Sequence, residues 1–188
     1  MKNEADFIKR LTNPRYRDKA FAELLDLYQQ RLYWHIRKLV NTHENADDVL
    51  QNTFLRIYKS LPNFKQQSSL STWMYRIAHN ESLRFLENEK KKQHASLDDE
   101  TNNYLNILTE DIYFEGTAVQ LKLQRVLSEL PEKQRIIFQM KYYDDLKFRE
   151  MAAILDAKEG TLKSSYYNTV KHIEEKMLDV ELFTKTKV

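Results

Sequence analysis

The chain has 188 residues, 41% of them hydrophobic, with two glycines, three prolines and no cysteine. That composition supports a buried core, disfavours the glycine-dependent hairpins of an all-β fold, and excludes disulfides, thiolate zinc sites and cysteine nucleophiles. The net charge of +2 hides a division: residues 1–92 carry 17 Lys/Arg against 11 Asp/Glu, residues 93–117 carry six acids and no Lys/Arg, and residues 118–188 carry 13 against 11, the pattern of a polyanion-binding block followed by a linker.

The N-terminus, MKNEADFIKR, lacks an apolar signal core, and no apolar run approaches membrane-spanning length. The first clear amphipathic helix places Phe21, Leu24, Leu25, Tyr28, Leu32, Ile36 and Leu39 on one face. A second covers about Asn45 to Leu61 and stops near Pro62, because the residue before proline resists the helical region. Its inward face is Ala46, Val49, Leu50, Thr53 and Ile57; Asp48, Gln51, Asn52 and Leu55 gather outside, an apolar contact ringed by hydrogen-bonding groups. Taken alone, such a face is also what a solvated helix with one stray leucine looks like.

Hydroxyls in Ser68-Ser69-Leu70-Ser71 can cap a third helix from about Thr72 towards Lys92. On it Met74, Ala78 and Phe85 point one way, while Trp73, Arg76, Asn80, Leu83 and Arg84 line the other. An aromatic ring can support an unstacked base, an amide can bond a flipped base edge, and arginines can hold phosphates. Trp73 and Phe64 fit a structural role equally well. Residues 93–117 are polar, acidic and weakly periodic and read as a linker, with a helical turn expected at Tyr104–Leu108.

Helical spacing returns with Val119, Leu123, Val126, Leu127 and Leu130, and Pro131 suits the first turn of a following helix that runs to about Tyr143. A short helix at about Lys147–Leu155, a turn at Asp156–Gly160 and a last helix from about Thr161 to Met177 have the dimensions of a helix-turn-helix. Leu162, Tyr166, Val170 and Ile173 share one side of that last helix. Lys163, Ser164, Tyr167, Asn168 and Lys171 share the other: two cations for phosphates and short groups able to reach base edges. The expected fold is all-α: two small helical domains, 1–92 and 118–188, joined by a flexible acidic linker, 93–117, with the C-terminal one a helix-turn-helix.

The stretches Leu130-Pro131-Glu132-Lys133-Gln134-Arg135, Tyr142 to Leu146, Met151-Ala152 and Gly160-Thr161-Leu162-Lys163-Ser164 resemble the C-terminal domain of extracytoplasmic-function sigma factors, of the RNA polymerase sigma-70 family. Ala46-Asp47-Asp48-Val49-Leu50-Gln51-Asn52-Thr53-Phe54, Leu61-Pro62-Asn63-Phe64 and the run Ser68 to Asn80 are similar to that family's N-terminal domain, so the resemblance covers about residues 18–92 and 118–177. It implies an alternative-type sigma factor that binds core RNA polymerase and directs promoter recognition and strand opening, with no catalytic residue, metal or cofactor. Asp48, Gln51, Asn52 and Leu55 are then the docking face for the β′ clamp helices. Phe64, Trp73, Arg76, Asn80 and Arg84 serve −10 recognition and melting, and Lys163, Ser164, Ser165, Tyr167, Asn168 and Lys171 read the −35 element. The resemblance also implies contact with the β flap, promoter DNA as a partner, an inhibitory anti-sigma factor that is often membrane-bound, a cytoplasmic location and no direct membrane insertion.

Several positions depart from the family pattern. Ser165 and Asn168 stand where arginine is usual, Asn52 where glutamate is usual, and Asp156 where the turn has glycine. Lys158 replaces a Ser/Thr cap, which predicts a recognition helix that frays or starts late. Arg84 and Glu87 reverse the usual acid–base order, which predicts an intrahelical pair between them. A stand-alone helix-turn-helix regulator would need neither the Asp48 face nor the Trp73–Asn80 stripe. A helical enzyme would need a constellation that is missing: His35, His43, His79, His94 and His172 show no metal-ligand spacing, and the neighbours Asp47/Asp48 and Asp144/Asp145 diverge on a helix.

Overall fold

The computed structural model describes residues 4–40, 42–95 and 117–184. These residues form two compact units, each with its own core. The expected helical turn at Tyr104–Leu108 and most of the 93–117 linker lie outside the described residues.

The N-terminal unit holds α1 (Glu4–Thr12), α2 (Arg17–Arg37), α3 (His43–Ser60) and α4 (Leu70–Ala95), with a 3-10 turn at Leu61–Asn63. The sequence reading missed α1, whose Phe7, Ile8 and Leu11 are buried; their one- and four-residue spacing is a single helical stripe too short to stand out. Helix α2 packs against α3 and α4, and Leu24, Leu32, Ile36, Ala46, Ile57, Leu70, Met74 and Ala78 are fully buried between them. Burying one such Leu or Ile side chain contributes about 1.5–3 kcal/mol.

Two caps set the register of the surface helices. Thr42 is extended and its side chain accepts the Asn45 N–H at 3.1 Å, which starts α3. Ser69 Oγ accepts the Thr72 N–H at 3.1 Å, the hydroxyl cap the sequence announces. Glu4 Oε1 adds a second acceptor to the start of α4, taking the Leu70 N–H at 2.9 Å, so α1 helps terminate the loop that precedes α4. Within that loop Gln66 sits at φ 55°, a conformation a non-glycine residue holds only where flanking contacts impose it. Helix α4 runs to Ala95, past the expected linker boundary at 93.

The C-terminal unit holds α5 (Ala118–Glu129), α6 (Glu132–Tyr142), α7 (Phe148–Leu155) and α8 (Glu159–Thr184). Thr117 and Gln120 form a reciprocal capping box at the start of α5. Val126, Leu127, Leu130, Phe138 and Ile173 form the core, with Leu123, Tyr166, Val170 and Met177 packed against it. Pro131 is the cap of α6 rather than a residue of its first turn. Asp156 occupies the left-handed region at φ 50° and closes α7, so aspartate serves where a C-terminal glycine is usual. The turn is tighter than expected: α8 begins at Glu159, Gly160 lies inside it, and the Lys158 carbonyl accepts the Leu162 N–H at 3.2 Å. The predicted late start is overturned, because Glu159 reaches Lys163 one turn on at 2.7 Å, which supports the first turn in place of a hydroxyl cap. At its other end α8 continues to Thr184, beyond the expected stop near Met177.

Candidate functional site

Three surfaces carry the residues singled out by sequence. The first is on α3. Ala46, Val49, Leu50, Thr53 and Ile57 are buried, and Asp48, Gln51, Asn52 and Leu55 are exposed, Leu55 by 53%. Asp48, Gln51 and Leu55 line an open cleft of about 510 Å³ between α2 and α3, whose floor and walls include Phe21, Leu25, Leu50, Phe54 and Tyr58. The ring of Phe21 stands edge-on to Phe54 and Tyr58, at 6.2 and 5.0 Å between centroids. Tyr58 donates its hydroxyl to Asp18 at 2.6 Å. The surface is thus an apolar depression rimmed by two acids, Asp47 and Asp48, and two amides, Gln29 and Gln51, fitted to receive apolar side chains from a partner while hydrogen-bonding its edge.

The second surface is on α4. Arg76, Asn80, Leu83 and Arg84 are exposed and Trp73 is half-buried. Phe64 is buried; its ring lies 4.8 Å from that of Trp73, tilted by 38°. Arg76, Asn80, Leu83 and Arg84 thus share the exposed side of α4, and Phe64, from the preceding loop, packs its buried ring against the half-buried Trp73. Arg84 does not complete the expected pair with Glu87. It bonds Glu81 at 3.1 Å, and Glu81 also takes Arg56 of α3 at 2.8 Å. The preference follows from burial: Glu81 is only 9% exposed and needs cationic partners, whereas Glu87 faces solvent. Sequence reasoning gave Arg56 no role, since its significance depends on a carboxylate from another helix. Next to Asn80, His79 is buried near His35, and burial pushes its imidazole down to about 4.

The third surface is on α8. Leu162 and Ile173 are buried, Tyr166 and Val170 half-buried; Lys163, Ser164, Tyr167, Asn168 and Lys171 are exposed and Ser165 is half-buried. Lys163 is held by Glu159, which raises its affinity for the proton, and Lys171 approaches Glu175 at 4.0 Å. Exposed pairs of this kind break at small cost when phosphate competes. Tyr167 packs edge-on to Tyr166 at 5.5 Å and beside Phe148 of α7 at 6.2 Å, with the Lys163 ammonium 6.0 Å from the Phe148 ring. The face offers an oriented aromatic ring, two hydroxyls and an amide, with fewer fixed cations than arginines would supply.

Among the described residues no His, Asp and Glu are grouped to hold a metal ion, and no helix is long and apolar enough to cross a membrane.

Residues 24–92 match the family model for sigma-70 region 2, and residues 120–173 that for sigma-70 region 4. The chain is 31% identical over 172 residues to the ECF RNA polymerase sigma factor SigW of Bacillus subtilis, covering 86% of this chain and 90% of that one. It is 29% identical over 167 residues to the ECF RNA polymerase sigma-E factor of Escherichia coli K12, covering 85% and 87%. The fold is shared with the sigma factor RpoE solved with the anti-sigma factor NepR from Bartonella quintana, at a TM-score of 0.69 and 21% identity over 86% of this chain and 98% of that one. It is shared also with CnrH, solved with the cytosolic domain of CnrY, at a TM-score of 0.67 and 15% identity over 94% and 97%. The all-helical fold, the two matched regions and the similarity to SigW together place this chain in the extracytoplasmic-function sigma factors of the RNA polymerase sigma-70 family, non-enzymatic subunits that direct promoter recognition at transcription initiation.

Proposed function

We propose that this sigma factor fastens to core RNA polymerase through the α3 face, with Asp48, Gln51, Asn52 and Leu55 meeting the β′ clamp helices, and opens promoter DNA with the α4 stripe. The observation that carries this is the cleft between α2 and α3: an apolar depression with an exposed leucine and hydrogen-bonding groups at its rim, on a helix whose opposite face is fully committed to the core. A solvated helix face would present polar groups without such a depression.

On α4, Asn80 bonds the edge of a base extruded from the −10 element, Trp73 stacks on it or its neighbour, Phe64 backs the Trp73 ring, and Arg76 and Arg84 attract the phosphates. On α8, Lys163, Ser164, Ser165, Tyr167, Asn168 and Lys171 read the −35 element in the major groove. Residues 1–92, 93–117 and 118–188 act as region 2, linker and region 4, and the C-terminal unit meets the β flap. The protein works in the cytoplasm. An anti-sigma factor holds it inactive, a partner supported by the complex in which the sigma factor RpoE was solved with the anti-sigma factor NepR.

The test is co-purification. Asp48→Ala with Gln51→Ala is expected to abolish retention on core polymerase while thermal unfolding stays at the wild-type temperature. Undiminished retention would remove α3 as the docking face.

A further inference from the structure

We propose that Arg56 and Arg84 together form a seat for one backbone phosphate of the DNA strand separated at the −10 element. This rests on the reading of α4 as the strand-opening surface and adds Arg56, a residue of α3 given no role above.

The seat is built around Glu81. Its side chain is only 9% exposed, and a carboxylate so covered needs compensating charge. Arg56 Nε reaches Glu81 Oε1 at 2.8 Å and Arg84 Nη1 reaches the same oxygen at 3.1 Å, with the second oxygen at 3.4 Å. Two guanidinium groups from two helices therefore converge on one carboxylate oxygen, which keeps them close despite their like charge. The cluster retains an excess of one positive charge.

Each arginine is about half exposed, 48% for Arg56 and 49% for Arg84. Arg56 meets Glu81 through Nε and Arg84 bonds it through Nη1, which leaves guanidinium N–H groups on the exposed half of each side chain to turn towards a phosphate. Guanidinium donors match the spacing of phosphate oxygens, which ammonium groups do not. Because Glu81 already restrains both side chains, little rotamer freedom remains to be lost when a phosphate arrives. The position selects DNA as the source of that phosphate. Arg84 lies one helical turn beyond Asn80 on the exposed stripe that also carries Trp73. A phosphate gripped here belongs to the backbone that flanks the base Asn80 would hold.

The test uses holoenzyme reconstituted from core polymerase and the full chain, bound to fork-junction promoter DNA carrying a neutral methylphosphonate at one position at a time. For the wild type, one position is expected to weaken binding by roughly tenfold or more, the loss of a charge-assisted bond. Arg56→Gln and Arg84→Gln should each become insensitive to neutralisation at that same position while keeping wild-type sensitivity elsewhere. Each should also make the slope of log affinity against log salt shallower by about 0.7, the value for one contact to a single strand. Arg56→Lys keeps the charge and the stem and should keep the slope, yet bind the native phosphate more weakly than wild type does. Wild-type sensitivity retained by both glutamine variants at every phosphate, or two variants that map to different phosphates, would overturn the proposal. A wild-type holoenzyme that opens no promoter would instead overturn the strand-opening reading of α4, leaving the two failures distinguishable.

Discussion

Acid should loosen the N-terminal unit through one residue, His79. Its side chain is 4% exposed and sits near His35, with ring centroids 6.1 Å apart. Burial, with the His35 charge as a lesser cause, takes its imidazole from the ordinary 6.5 down to about 4. The unfolded chain therefore binds a proton between about pH 6.5 and 4 that the folded chain refuses, so stability falls as pH falls through that window and levels off below it. A displacement of that size corresponds to about 3 kcal/mol at full effect, a large share of the ~5–15 kcal/mol that holds a typical domain together. Both tryptophans, Trp34 and Trp73, lie in this unit, so urea unfolding followed by fluorescence reports on it directly. Wild type and His79→Gln, which keeps a polar side chain but cannot ionise, should be compared at half-unit intervals from pH 7 to 4. The wild type should lose up to about 3 kcal/mol more than the variant. Parallel curves would refute the assignment, as would a wild type that gains stability on acidification. Since His79 precedes Asn80 on α4, promoter opening by wild-type holoenzyme should fail at a higher pH than opening by the variant.

Other substitutions test the remaining surfaces. Asp156→Val places a β-branched residue at φ 50° and should cost the C-terminal unit about 1–2 kcal/mol in thermal unfolding, with Asp156→Gly neutral or better. Leu127→Ala empties a fully buried position in the same core and should cost about 2–5 kcal/mol. Asn80→Ala should leave initial promoter capture near wild type and weaken opening by about 0.5–1.5 kcal/mol, a roughly two- to tenfold loss of permanganate-reactive thymines; equal loss of both steps would speak against a base-edge contact.

Much of this is legible in the sequence because it depends on periodicity. The inward set on α3, Ala46 to Ile57, and the two faces of α8 follow from 3.6-residue spacing, which burial then enforces. What escaped depends on contacts between elements. Helix α1 owes its place to packing of Phe7, Ile8 and Leu11 and to the Arg10–Glu23 pair, in which two nitrogens meet two oxygens at 2.8 Å each, and nine residues make too weak a helix to announce themselves. Arg84 was expected to meet Glu87 because helical spacing sees only its own helix. The partner it took, Glu81, is chosen by burial and shared with Arg56 across the α3–α4 contact. Periodicity leaves Phe64 and Trp73 open between core and surface, and only the packing of one ring on the other, the first buried and the second half-buried, separates them. Lys158 lacked a capping hydroxyl, yet Glu159 secures the start of α8 through Lys163.

The measurement closest to the central claim is run-off transcription from a promoter library by core polymerase with and without this chain, joined to permanganate mapping of the opened bases. Start-specific transcripts should appear only when the chain is added, with reactive thymines at the −10 element that vanish in the Asp48→Ala, Gln51→Ala double variant. Reconstituted holoenzyme that initiates on no template, or opens DNA equally well with the double variant, would contradict the account.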